Sequence, residues 1–145
     1  MKAIKIAQVP APSVQVNDTV QKAIPVMGSS AGCGIAVMDG KQLVGTISKE
    51  DVMTRVVGAG LDPATTIVRD VMTSPAQQTI TPETDADEAL RLMFSNQQCY
   101  LPIVDQQQEL RGWLSICHLF KNHVEDLKGE LDSLASYMGA DGPGG

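Results

Sequence analysis

Apolar and polar positions follow one order along this chain, and the order occurs twice. Short apolar runs at 13–16, 34–38 and 42–47 predict strands, and equivalent runs return at 78–81, 100–104 and 110–115. Between the first and second strand of each set, apolar residues fall at helical spacing on one face: Val20, Ala23, Ile24 and Met27, then Ala86, Ala89, Leu90 and Met93. Val14 matches Ile80, Cys33 matches Cys99 and Asp39 matches Asp105 at an offset of 66 (99 − 33 = 66). One extra residue in the second turn raises the offset to 67, so Leu43, Gly45, Ser48 and Val52 meet Leu110, Gly112, Ser115 and Leu119. Two copies of one unit stack about a pseudo-two-fold axis and leave a cleft between them, where a ligand site is expected.

Local signals place the boundaries. Asp18-Thr-Val-Gln21 and Thr84-Asp-Ala-Asp87 read as box-like helix starts. Pro25 lies inside the first helix and is expected to kink or shorten it, whereas its counterpart is Arg91. Asp39-Gly40 marks a tight turn, and 105–109 a looser one. Gly58-Ala-Gly-Leu-Asp-Pro63 breaks the chain, and a short helical turn follows from Val68 to the stop at Pro75. The expected divisions are repeat 1 at 8–60, a linker at 61–75, repeat 2 at 76–123 and a helical extension at 124–138. The last helix is expected from Ile116 to about Met138, with residues 142–145 fraying beyond it. Along it Phe120, Val124, Leu127, Leu131, Leu134 and Met138 form a heptad seam. That seam suits docking on a symmetry mate or packing on the chain's own core.

Composition narrows the function classes. Hydrophobic residues make up 43% and aromatics only 3%, so aliphatic residues and seven Met must fill the core. A net charge of −6 and a pI near 4.7 oppose broad nucleic-acid binding but leave room for one small anion held locally. No apolar stretch is long enough to span a bilayer, and Met1-Lys-Ala-Ile-Lys-Ile lacks the apolar run of a signal peptide. A cytoplasmic location, with no membrane partner, is the expectation. There are three cysteines. Cys33 and Cys99 are equivalent across the pseudo-dyad, where a disulfide would bridge the repeats, but a reducing cytosol favours buried or partly buried free thiols. Cys117-His118 with His123 lacks the ligands to complete a metal set, so no metal site is expected.

The segment with chemical interest is Gly45-Thr-Ile-Ser48-Lys49-Glu-Asp51-Val52. Ser-x-x-Asp is a capping-box variant and starts a helix by itself. The same geometry also suits a nucleotide clamp. Ser48 and helix-start N–H groups would hold a phosphate, the acceptor-only Asp51 carboxylate would take two ribose hydroxyls, and Lys49 and Arg55 would supply positive charge. No histidine is placed to relay a proton to Ser48, so catalytic residues are not expected and the chain reads as a non-enzyme.

These motifs, in this order, resemble the tandem cystathionine-β-synthase (CBS) domain pair, or Bateman module. The marks are Gly45-Thr-Ile-Ser48-x-x-Asp51-Val52, Gly112-Trp-Leu-Ser115, Tyr100-Leu-Pro-Ile-Val-Asp105, Leu61-Asp-Pro-Ala-Thr-Thr66 and Val68-Arg-Asp-Val-Met-Thr73. The resemblance implies an α+β fold in which two pseudo-symmetric β-α-β-β-α repeats pack as one module, here with an extended C-terminal helix. It implies a regulatory ligand that contains adenosine: AMP, ADP or ATP, with S-adenosylmethionine, NAD or a cyclic dinucleotide as alternatives. It also implies a homodimer of modules. Carried onto this chain, Asp51 would hold the ribose, Ser48 the phosphate side, and backbone near Ile35, Thr66, Val68 and Leu101 the base, with Ser115 the counterpart of Ser48. Two departures stand out. His118 replaces the acid in repeat 2, so one competent and one weakened cleft are expected. Gln8-Val-Pro-Ala-Pro stands where repeat 1 would carry its Asp-Val-Met-Thr lead-in. The resulting expectation is a stand-alone nucleotide-sensing module that signals to its own dimer or to a protein partner in trans. The alternative is a ligand-free dimerisation or interaction module on the same fold.

Overall fold

The computed structural model describes residues 1–30, 33–76 and 78–141; the expected fraying tail lies outside them. Repeat 1 comprises β1 (Ser13–Gln15), α1 (Val20–Gly28), β2 (Gly34–Asp39), β3 (Gln42–Ser48) and α2 (Lys49–Asp51), which runs on as a π-helix over Val52–Val57. Repeat 2 comprises α3 (Ala86–Asn96), β4 (Tyr100–Val104), β5 (Leu110–Ser115) and α4 (Ile116–Asp141). β1 runs parallel to β2, and β2 antiparallel to β3. The β2–β3 hairpin closes through Gly40 at φ 63°, a left-handed position that glycine enters without steric cost. β4 and β5 form the matching hairpin. The repeat extends to irregularities, since the register shifts after Val37 in one hairpin and after Ile103 in the other (103 − 37 = 66).

Four local expectations are corrected. Thr19, not Asp18, caps α1: its hydroxyl accepts from the Lys22 N–H at 3.3 Å, while Asp18 accepts from the Gln15 N–H at 2.9 Å. Thr84 does not cap α3 either. It accepts from the Thr81 N–H at 3.1 Å, and the free Ala86 N–H is satisfied by the Met1 carbonyl at 2.8 Å. The strand expected at 78–81 shrinks to one bridge, Ile80 to Ile103, at the place where β1 meets β2 in repeat 1. Ile24 is 43% exposed, because Val20, Ala23 and Met27 alone fill the buried stripe of α1. Pro25 does lie inside α1, which is 9 residues long against 11 for α3.

The lead-in segments exchange repeats. Val68–Asp70 forms a 3-10 turn whose Val68, Val71 and Met72 pack into the core of repeat 1. Ala3–Lys5 forms the same turn before repeat 1, yet Ala3, Ile4, Ile6 and Ala7 pack into the core of repeat 2. Repeat 1 therefore does have a structural lead-in, which starts at residue 3 and includes Gln8. Thr73 pairs with Thr46 through backbone bonds of 2.8 and 2.9 Å, and Gln8 pairs equivalently with Trp113 at 2.9 and 3.0 Å. The glycine of each Gly-x-x-Ser motif makes this approach possible. A Cβ on Gly45 would collide with the Thr73 carbonyl, and one on Gly112 would lie 3.0 Å from the Ile4 side chain. A third cluster joins the repeats, with Trp113 packed against Ala36, Met38 and Tyr100.

α4 leaves the body of the molecule. Leu119 is buried and Val124 half-buried, but Phe120, Leu127, Leu131, Leu134 and Met138 are all exposed. The heptad seam does not pack on the chain's own core.

Candidate functional site

Ser48 ends β3 and starts α2 with extended backbone (φ −106°, ψ 164°). Its hydroxyl accepts from the Asp51 N–H at 3.0 Å, and Asp51 Oδ2 accepts from the Ser48 N–H at 2.9 Å, a complete capping box. Asp51 is only 8% exposed. The Thr73 hydroxyl reaches both its oxygens, at 3.3 and 3.4 Å, and Arg55 Nε lies 3.8 Å from Oδ1. Arg55 also donates through Nη1 to the carbonyls of Val71 (3.2 Å) and Met72 (2.8 Å), so it latches the lead-in onto repeat 1. The helix widens to π geometry directly after Asp51, a distortion that recurs at functional sites.

A cavity of about 540 Å³ opens beside this carboxylate. Its lining joins Cys33, Thr46, Ser48, Glu50, Asp51 and Arg55 of repeat 1 to Thr73 and to Gln97, Gln98, Cys99 and Tyr100 of repeat 2. The Tyr100 hydroxyl lies 3.3 Å from Thr46 Oγ1, and burial raises the Tyr100 pKa, keeping the phenol a neutral hydrogen-bonding group. The Asp51 carboxylate has several acceptor lone pairs and faces a pocket of hydroxyls and thiols, a surface suited to a polyhydroxylated ligand.

Of the residues singled out in the sequence, the structure brings Ser48 and Asp51 together at this cavity. Lys49 is exposed and lies outside its lining. Ile35, Val68 and Leu101 are fully buried core residues, and Ser115 is buried at the start of α4. Thr66 gives its hydroxyl to the Asp62 carbonyl at 2.7 Å. At the start of α2, the Lys49 N–H goes to the Cys33 carbonyl (2.8 Å) and the Asp51 N–H to Ser48, so neither amide is free for an anion. Thr46, Thr73 and Tyr100 escaped the sequence reading, although Thr73 closes the Asp-Val-Met-Thr signature that was quoted.

The second cleft is built differently. Ser115 and His118 reproduce the box: the Ser115 N–H donates to His118 Nδ1, and the His118 N–H to Ser115 Oγ, both at 3.2 Å. An accepting Nδ1 requires neutral imidazole, and burial, with Lys121 nearby, lowers the His118 pKa below its ordinary 6.5. The hollow beside it, lined by Ile6, His118, Lys121, Asn122 and Glu125, measures about 210 Å³. The position equivalent to Thr46, which lines the first cleft, carries Trp113 in repeat 2, a fully buried ring outside the lining of this hollow.

This geometry has a measurable consequence. The unfolded chain takes up a proton on His118 as pH falls through 6.5, while the folded chain resists until lower pH, so stability falls in that window and is unaffected by His118 above it. His118→Asn keeps an acceptor for the Ser115 N–H and does not titrate. Urea midpoints at pH 7.5 and 5.5 are expected to fall more for the wild type than for this variant; equal falls would remove His118 from the acid response.

All three cysteines are free, as expected, but exposed rather than buried. Among the described residues no three His, Cys, Asp or Glu side chains are grouped to hold a metal, and no helix is long and apolar enough to cross a membrane.

Residues 4–58 and 68–125 each match the CBS domain family. Among curated relatives, the meiotically up-regulated gene 70 protein of Schizosaccharomyces pombe is 37% identical over 97 residues, covering 66% of this chain and 13% of that protein. CBSX3 of Arabidopsis thaliana, described as mitochondrial, is 29% identical over 84% of this chain and 61% of its own length. Inosine-5′-monophosphate dehydrogenase of Methanocaldococcus jannaschii is 33% identical over 82% of this chain and 24% of its own. The chain thus spans less than two thirds of each of these relatives. Among solved structures, a CBS-domain protein of Burkholderia ambifaria MC40-6 superposes with a TM-score of 0.76 at 26% identity, covering 87% of this chain and 96% of that one. CBSX2 in complex with AMP superposes with a TM-score of 0.69 at 19% identity, covering 86% and 96%.

Proposed function

The chain belongs to the CBS domain family as a tandem pair, and from that premise we propose that it is a regulatory module that binds an adenosine nucleotide in the cavity beside Asp51. The observation that carries this reading is the buried Asp51 carboxylate, fixed by Ser48, Thr73 and Arg55, at a cavity whose walls come from both repeats. Two ribose hydroxyls donating to one carboxylate would use its remaining lone pairs. Ser48, Thr46 and Thr73 would offer hydroxyls to the rest of the ligand, and Lys49, outside the lining, would contribute its charge at longer range. The complex of CBSX2 with AMP makes AMP the first ligand to test. ADP, ATP, S-adenosylmethionine and NAD are its competitors. With a smaller hollow, His118 for the acid and an indole for the threonine, the second cleft would bind weakly or not at all.

Ligand touching both walls would favour the arrangement of repeats that it bridges, and would shift the population accordingly. α4 continues directly from β5 and would carry that shift to its exposed apolar seam. The exposed Phe94 and Phe120, at 73% and 69%, together with Leu127, Leu131 and Leu134, favour a homodimer formed through this helix. The same seam supports the second reading, an interaction module without a ligand.

Thermal unfolding against these five adenosine-containing ligands separates the two. A ligand at 100 times its dissociation constant stabilises by about 2.7 kcal/mol, an expected rise of roughly 5–10 °C. A flat panel on a folded dimer would leave the interaction module as the function.

A further inference from the structure

We propose that Cys33 and Cys99 are a reversible modification site, closing as a disulfide that ties repeat 1 to repeat 2 across the pseudo-dyad. Neither the family match nor the proposed ligand supplies this site, and it stands whether or not a nucleotide binds.

The two cysteines are equivalent residues of the repeats (99 − 33 = 66), each directly before a strand of a hairpin. Each uses its carbonyl in the same way: Cys33 accepts from the Lys49 N–H and Cys99 from the Ile116 N–H, both at 2.8 Å. These bonds fix the two backbones relative to the starts of α2 and α4. Cys33 and Cys99 line one cavity, so their side chains face a common space. The residues that follow them also approach each other, because a Cβ on Gly34 would lie 3.3 Å from the Tyr100 ring. Cys99 lies near enough to Cys33 to act on its thiol, whose pKa it helps to raise. A disulfide between them would bring the two sulfurs to a covalent length of about 2.05 Å across that shared space. Both residues are exposed, so a soluble oxidant reaches them. A metal reading fails on the donor set, since no third ligand is grouped with the pair among the described residues.

The chemistry balances with a low-molecular-weight disulfide such as oxidised glutathione. Partial burial first, then the neighbouring Cys99 side chain, raises the Cys33 thiol above its ordinary pKa, which makes it the poorer first nucleophile. The Cys99 thiolate attacks one sulfur of the reagent, forming a mixed disulfide and expelling one thiolate. Cys33 then loses its proton and attacks the protein-bound sulfur of Cys99, expelling the second. Two electrons pass from the cysteine sulfurs to the reagent, and two equivalents of its thiol leave with the two protons. Excess thiol reverses both steps. The bond would fix the two walls of the cavity to each other.

The test uses the purified full chain, reduced and then incubated in glutathione buffers of increasing oxidised fraction. The expected product has lost two of its three thiols, is lighter by about 2 Da, and carries no glutathione. Peptide mapping without reductant is expected to recover a Cys33–Cys99 cross-link. Closing so long a loop is expected to raise the unfolding temperature on the order of 10 °C, reversibly with dithiothreitol. Cys117→Ser should behave as the wild type, whereas Cys33→Ser should stop at a glutathione adduct with no rise. A cross-link to Cys117, a bond between chains, or a stable Cys99–glutathione adduct in the wild type would overturn the proposal, and none of these readouts depends on nucleotide.

Discussion

Replacing Trp113 by alanine is expected to cost about 3–5 kcal/mol of stability and to lower the unfolding temperature by roughly 10 °C or more. This is the chain's single tryptophan, and its side chain is fully buried. It stacks on Tyr100 with ring centroids 4.6 Å apart and planes 19° from parallel, an arrangement that adds about 0.5–1.5 kcal/mol to the burial itself. On its other contacts it meets Ala36 and Met38 from β2, so the ring sits where the two repeats share a core. Alanine would leave a void at that seam, while the backbone at 113 stays held to Gln8 by its two hydrogen bonds. Trp113→Phe retains an aromatic face and should lose distinctly less. Urea unfolding followed by far-ultraviolet circular dichroism measures both, since fluorescence is lost with the residue. A loss below 1 kcal/mol in the alanine variant would show that the repeats do not depend on this shared core.

Asp51→Ala is expected to weaken AMP binding by about 100-fold, the loss of two hydrogen bonds to a charged acceptor at roughly 1.5 kcal/mol each. It also has a structural cost. The variant strands the Ser48 N–H and the Thr73 hydroxyl and frees Arg55 from its 3.8 Å contact, with an expected loss of about 1–3 kcal/mol. Asp51→Asn separates the two effects. Its amide oxygen can still cap Ser48, but it offers one acceptor in place of two, so binding should fall while stability is largely kept. Titration calorimetry with AMP at matched folded fractions is the measurement. Wild-type affinity in the asparagine and alanine variants alike would place the ligand elsewhere.

The comparison between the repeats sharpens the role of Asp51. In both copies the fourth residue of Ser-x-x-Asp or Ser-x-x-His returns a bond to the serine N–H, so helix initiation alone does not require an acid. The negative charge and the second oxygen of Asp51 exceed what the cap needs, and they stand at the larger cavity. The repeats differ at three equivalent positions around this site: His118 for Asp51, Asn122 for Arg55 and Trp113 for Thr46 (118 − 51 = 122 − 55 = 113 − 46 = 67).

The order of elements, the doubling and the unbroken last helix were legible in the sequence, because they rest on apolar periodicity and on turn residues that act over a few positions. β2, β3, β4 and α4 fall where those patterns put them, and Ser48 with Asp51 declared itself by spacing alone. Short-range chemistry read one residue out of register failed at Asp18 and Thr84, where capping was decided by which backbone groups remained unpaired after folding. The lead-in of repeat 1 escaped notice because Ala3–Pro10 shares a conformation with Val68–Pro75 but few side chains. Only the tertiary structure showed that each lead-in serves the opposite repeat, an exchange made of backbone bonds and a glycine's missing Cβ, to which a linear pattern is blind. It likewise brought Thr73, Tyr100 and the two thiols to one cavity, and it turned the heptad seam outward. The sequence by itself determined which segments are helix and strand and that they come in pairs. Which residues face each other across the pair was decided by packing between segments 66 residues apart, where no local preference acts.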